Sequence, residues 1–158
     1  MKKGLIAGLI ASHLLVGVVG FATGIYTLPI LTAANAPDTQ QLASINQNAI
    51  YEARFDRDRA GSDALHWGEG KVSLSQDFIA LEGELSAGPD FKIYLAPDFV
   101  EDEAQFNQLK SQMQLIGDVK SFDGFAVELP NNVDLSQYNT VIIWCETFGE
   151  FITSAQYR

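Results

Sequence analysis

The chain has 158 residues, enough for one domain of ordinary size plus an appendage, and a formal charge of −10 at neutral pH. All 20 acidic residues but only 8 of the 10 basic ones lie beyond position 37, so that region carries −12 and repels nucleic acid and anionic lipid. A single cysteine excludes an internal disulfide, and roughly 110 residues can hold a core without one.

Met1-Lys2-Lys3 precede a run from Gly4 to Leu31 with no acidic or basic residue except His13. The run exceeds the ~20 residues that span a bilayer as a helix, and also the ~7–15 residues of a signal-peptide core. The expected reading is a single-pass anchor over residues 4–31 behind a stub of residues 1–3. A cleaved signal is the alternative, because Ala34-Asn35-Ala36 resembles a small-x-small cleavage site. Lys2 and Lys3 flank the amino side and Asp38 is the first charge beyond it, which places the amino terminus in the cytoplasm and the rest in the periplasm or outside the cell. His13 lacks the second intramembrane histidine that bis-imidazole haem ligation needs.

Residues 32–49, rich in Ala, Asn, Gln, Ser and Thr around Pro37, have the composition of a linker, with a helical turn expected near Ser44 to Ala49. From Ile50 to Arg158 the chain reads as the folded domain. Tyr51, Ala53 and Phe55 alternate with Glu52, Arg54 and Asp56, as in a half-buried strand. Asp56-Arg57-Asp58-Arg59-Ala60-Gly61 begins like a calcium loop but has Ala60 and Trp67 where positions five and twelve need ligands, so it reads as an acidic turn. Further strands are expected over Lys71–Leu74, Phe78–Leu85 and, after the turn Gly88-Pro89-Asp90, Phe91–Leu95.

Asp98 to Leu115 reads as one helix, with acidic residues at its start, Phe106, Leu109 and Met113 on one face, and Gly117 as its stop. Asp123-Gly124 is a hairpin-type turn signal before Phe125–Pro130. Val141-Ile142-Ile143-Trp144-Cys145 is apolar on both alternating faces, which marks a central strand buried on two sides. Val141, Ile143 and Cys145 share one face, Ile142 and Trp144 the other. A last short strand over Phe148, Phe151, Ile152 and Ala155 closes the domain. Short strands separated by turn residues predict a mainly β fold, an antiparallel β-sandwich or small barrel with one helical insertion, preceded by an N-terminal transmembrane helix.

The series Ala64-Leu65-His66-Trp67-Gly68-Glu69-Gly70, Gly88-Pro89-Asp90-Phe91-Lys92-Ile93-Tyr94-Leu95, Leu129-Pro130 and Val141-Ile142-Ile143-Trp144-Cys145-Glu146-Thr147-Phe148 resembles the DM-thirteen domain family, a module found beside DOMON domains and associated with electron transfer. The resemblance runs from about Tyr51 to Ala155. It implies redox work through Cys145, with His66, the only histidine outside the apolar run, as its companion. One segment departs from the family pattern: Gly124-Phe125-Ala126-Val127-Glu128 stands where such domains commonly show Gly, Gln and an aromatic before the proline.

A thiolate and an imidazole suit haem iron or copper, and a thiolate also exchanges electrons through sulfenic or disulfide chemistry. The sequence holds no CxxCH, no CxxC pair, no four-ligand zinc set, no glycine-rich phosphate cradle and no Gly-x-Ser-x-Gly elbow. Two readings follow. In one, a membrane-anchored, extracytoplasmic domain does redox work at Cys145 with a redox partner protein, and haem or copper as possible cofactor at Cys145 and His66. In the other, the domain is a non-enzymatic interaction module in which the cysteine only packs.

Overall fold

A computed structural model describes residues 2–158. The first helix, α1 (Lys2–Leu31), is followed by a second, α2 (Thr39–Gln47). A window of α1 has a mean hydropathy of 2.2 and is not covered by the rest of the chain, so by length and composition the helix can cross a membrane or serve as a signal sequence. Within the linker-like stretch, α2 is longer than the single turn expected from the sequence. Asp38 caps it by accepting from Gln41 N–H at 2.7 Å, and buried Ile45 seats it on the domain. Asn46 adds two side-chain bonds, to Ser73 Oγ at 2.6 Å and to Glu82 at 3.1 Å.

Eight strands follow: β1 (Tyr51–Phe55), β2 (Gly68–Leu74), β3 (Phe78–Leu85), β4 (Phe91–Ala96), β5 (Gln114–Val119), β6 (Phe125–Glu128), β7 (Thr140–Cys145) and β8 (Glu150–Gln156). They form two four-stranded antiparallel sheets, ordered β1-β2-β3-β6 and β5-β4-β7-β8. The fold is therefore a sandwich. β1 approaches β8 at one edge and β5 approaches β6 at the other.

The alternation in the sequence is what fills the space between the sheets. Phe55, Val72, Leu74, Ile79 and Leu81 from the first sheet meet Phe91, Ile93, Leu95, Val141 and Ile143 from the second. As the sequence predicts, β7 is interior to its sheet and all six of its residues are buried. Its other face packs Ile142 and Trp144 into a second cluster with Tyr94, Phe106 and Phe151, roofed by the helix α3 (Glu103–Leu109) between β4 and β5.

Three local expectations are corrected. The helix expected over Asp98 to Leu115 begins only at Glu103, capped by Asp102, and ends in a 3-10 turn over Lys110–Gln112. Gly117 is not its stop: it sits inside β5, opposite Ile93. The physical reason lies in the register shift between Ile93 and Tyr94, where Ile116 is the extra residue of a bulge. The bulge turns both Ile116 and Val119 inward, and that spacing of three imitates a helical period. Asp123-Gly124 likewise makes no hairpin, because β5 and β6 belong to different sheets and the turn carries the chain across the sandwich. Finally, Phe148 lies in the turn before β8 and is exposed.

Gly70 and Gly83 face each other across β2 and β3. Gly70 has φ of +133°, and a Cβ there would lie 2.4 Å from Glu82 O, so both conformation and space demand glycine. Gly70→Ala is expected to cost about 2–3 kcal/mol, read as a shift of the denaturation midpoint at unchanged slope.

Candidate functional site

Cys145 ends β7 and faces the inter-sheet core, paired with Phe91 of β4 and with Glu150 of β8. Its neighbours are set by a hydrogen-bonded corner. Glu146 N–H donates to Asp90 O at 3.0 Å, Thr147 Oγ1 to Asp90 at 3.2 Å, and Gly149 N–H to Cys145 O at 2.9 Å. Asp90 is fixed in turn by Lys92 Nζ at 2.8 Å. Burial pushes the Cys145 thiol up, while the backbone N–H groups of Phe148, Asp90 and Thr147 near the sulfur oppose that shift. The sulfur thus sits where a negative charge is disfavoured by its surroundings and partly stabilised by amide dipoles.

His66 lies on the loop between β1 and β2. Asp63 organises the turn, accepting from the N–H groups of Leu65 and His66 at 2.7 and 2.8 Å and meeting His66 Nδ1 at 3.2 Å. These contacts, the Leu65 N–H foremost, hold the Asp63 carboxyl below the usual carboxylate range. It is therefore an ionised, acceptor-only group at neutral pH, and the Nδ1 edge of His66 faces it as the donor. The loop itself is tied to β8 by Ser62 Oγ, which donates to Ile152 O at 2.8 Å.

Cys145 and His66 line one cavity of about 290 Å³, but no hydrogen bond joins them among the described residues. The groups that oppose the upward shift of the thiol are backbone amides. The cavity has a wall the sequence did not announce. Ala22, Ile25 and Tyr26 of α1 close it opposite the turn of Gly88 and Pro89, with Phe91, Phe148 and Glu150 between. Gly88 is needed there, since a Cβ would lie 2.2 Å from the Phe91 ring. Nothing in a uniformly apolar helix marks which face will meet the domain. Glu150 also lies beside Glu103, and the neighbouring carboxyl raises the Glu103 carboxyl above its ordinary value.

The electron-transfer DM13 family model matches residues 54–157, which include both Cys145 and His66. The chain belongs to this family. Neither any curated protein nor any solved structure matches it. In this DM13 chain the family match covers the two sheets and the loop of His66, whereas α1 and α2 lie outside it.

A second polar group lies on the outer face of the same sheet. The Tyr94 hydroxyl donates to Glu146, whose other oxygen meets Lys110 Nζ at 2.8 Å. Lys110 in turn lies over the rings of Phe106 and Trp144 at 5.5 and 5.7 Å. Burial alone would raise the Glu146 carboxyl, but Lys110 and Tyr94 bring it below its ordinary value. A depressed carboxylate contributes stability that is present above the unfolded pKa of about 4.3 and lost as pH falls through the folded value. Glu146→Gln is therefore expected to flatten the acid limb of the stability profile, by no more than about 1 kcal/mol for so accessible a pair. Denaturation midpoints measured between pH 3 and pH 7 check it.

Proposed function

We propose that this chain is a membrane-anchored, extracytoplasmic electron-transfer domain whose redox group is the Cys145 thiol, with His66 as its companion. The observation that carries the reading is the cavity that Cys145 and His66 line together within the family-matched region. An apolar α1 with Lys2 and Lys3 at its amino end supports the anchor and its orientation. A protein on the outer side serves as redox partner in this reading, and the acidic surface leaves nucleic acid out.

Haem and copper fit the residues poorly. A cavity of about 290 Å³ lies at the lower end of small-ligand sites and is too small to bury a haem macrocycle. A copper electron-transfer site takes two imidazoles with a thiolate, and among the described residues no three His, Cys, Asp or Glu side chains are placed to share a metal ion. The chemistry then belongs to sulfur itself: the thiolate takes an oxygen atom from a peroxide, becoming a sulfenic acid as hydroxide leaves, and a thiol reductant returns it.

Peroxide treatment of the folded chain, followed by a sulfenic-acid trap and mass spectrometry, is expected to place one adduct on Cys145. Carbonate extraction of the membranes is expected to leave the chain in the pellet. The alternative, an interaction module with a structural cysteine, is favoured by the raised thiol pKa and the packing of Cys145 in the core. It predicts that the trap labels Cys145 only after unfolding, which would overturn the redox reading.

A further inference from the structure

The arithmetic of α1 gives the Cys145 cavity a particular neighbourhood. Thirty helical residues extend about 45 Å, whereas the hydrocarbon core is about 30 Å thick, so roughly ten residues stand outside it. The domain fixes which ten. Ala22, Ile25 and Tyr26 line the cavity, Ile25 and Pro29 are half-buried, and three residues beyond the helix Ala34 N–H donates to Lys120 O at 2.7 Å. In the anchored reading the helix therefore leaves the bilayer near Phe21 and runs directly into the wall of the cavity, which then sits at the membrane boundary.

We propose that this cavity binds the head ring of a membrane-dissolved quinol, which enters along α1. This rests on the anchor in the reading above and names a ligand class for its site. The volume of about 290 Å³ suits a single substituted ring. Phe91 and Phe148 supply flat apolar walls, and the outward-facing, exposed Phe148 is otherwise unexplained. The polar groups match hydroxyls. His66 spends only Nδ1 on Asp63, so its other ring nitrogen remains for a ligand hydroxyl, and Tyr26 brings a phenol to the same cavity. A lipid acyl chain would bury these groups without partners, which disfavours it. Cys145 is only 2% exposed and borders this cavity, so whatever reaches the sulfur does so by way of the cavity.

The test uses the full chain in membrane vesicles and a pre-reduced, tetrasubstituted benzoquinol with a decyl tail, whose ring has no position open to thiol addition. The readout is the rate at which N-ethylmaleimide labels Cys145. At about ten times its Kd the quinol is expected to slow labelling about tenfold, by occupancy alone. Ala22→Trp, which fills the cavity from the helix, is expected to remove the quinol's effect, and Ala11→Trp, further down α1, to preserve it. His66→Ala is expected to weaken protection without preventing labelling. Absence of protection, equal protection by decanol, or protection that survives Ala22→Trp would overturn the quinol site. Carbonate extraction of the same vesicles reports the anchor separately: a released chain overturns the anchor and this proposal together, while a retained but unprotected chain overturns this proposal alone.

Discussion

Trp144→Ala is expected to destabilise the domain by about 3–5 kcal/mol, the range for emptying a large aromatic site in a core. Trp144 is 2% exposed and stacks on Phe106 with ring centroids 3.8 Å apart and planes within 8°. Tyr94 meets the same Phe106 edge-on at 5.2 Å. Truncation therefore opens a void against α3 and loosens the helix as well as β7, since Phe106 is the only fully buried residue of that helix. The indole Nε1 is buried without a hydrogen-bond partner, which costs the native state some of what the ring contributes. Trp144→Phe deletes that donor while keeping a ring on Phe106, so its cost is expected to be about 1 kcal/mol. Chemical denaturation followed by circular dichroism compares the two. Equal costs, or an unchanged midpoint for the alanine variant, would show that the stack is not what holds α3 to the sheet.

Cys145→Ser carries the largest expected functional effect, complete loss of thiol redox chemistry, with a small structural one. A serine hydroxyl buried among apolar groups ordinarily costs about 1–3 kcal/mol when unpaired. Here the N–H groups of Phe148, Asp90 and Thr147 already face this position and can donate to the hydroxyl oxygen, so the cost should stay below about 1 kcal/mol. The wild-type chain is expected to consume one equivalent of peroxide per chain and the variant none, with unfolding midpoints nearly alike. A variant that is strongly destabilised yet consumes peroxide as the wild type does would sink the electron-transfer assignment and leave Cys145 as a packing residue.

The two readings of Cys145 differ in what the raised thiol pKa means. In a core it is the ordinary consequence of desolvation and predicts inertness. In a cavity it keeps the thiol protonated until a ligand or oxidant changes its surroundings, and the amides then hold the charge that develops. The corner formed by Asp90 and Thr147 is the part that separates these cases, because it aims donors at a group that as a plain thiol has little use for them.

The sequence by itself determined the elements whose pattern is local. The alternation in Tyr51–Phe55 and Phe91–Leu95 and the two-faced apolar run of β7 appear in the structure as read, because a period of two survives any choice of strand partner. The apolar length of α1 was legible because an unbroken apolar run is itself a local feature. The tertiary structure alone decided which strands pair, since the hydrogen bonds of β5 to β4 and of β6 to β3 join residues that no local pattern relates. It converted Gln114–Val119 from apparent helix to strand, as the bulge at Ile116 makes two inward residues fall three apart. It also assembled the cavity. Cys145 and His66 were visible as chemical types, but only the packing of α1 beside the turn at Gly88 and Pro89 encloses a volume around them, and contacts between distant segments leave no periodicity to read.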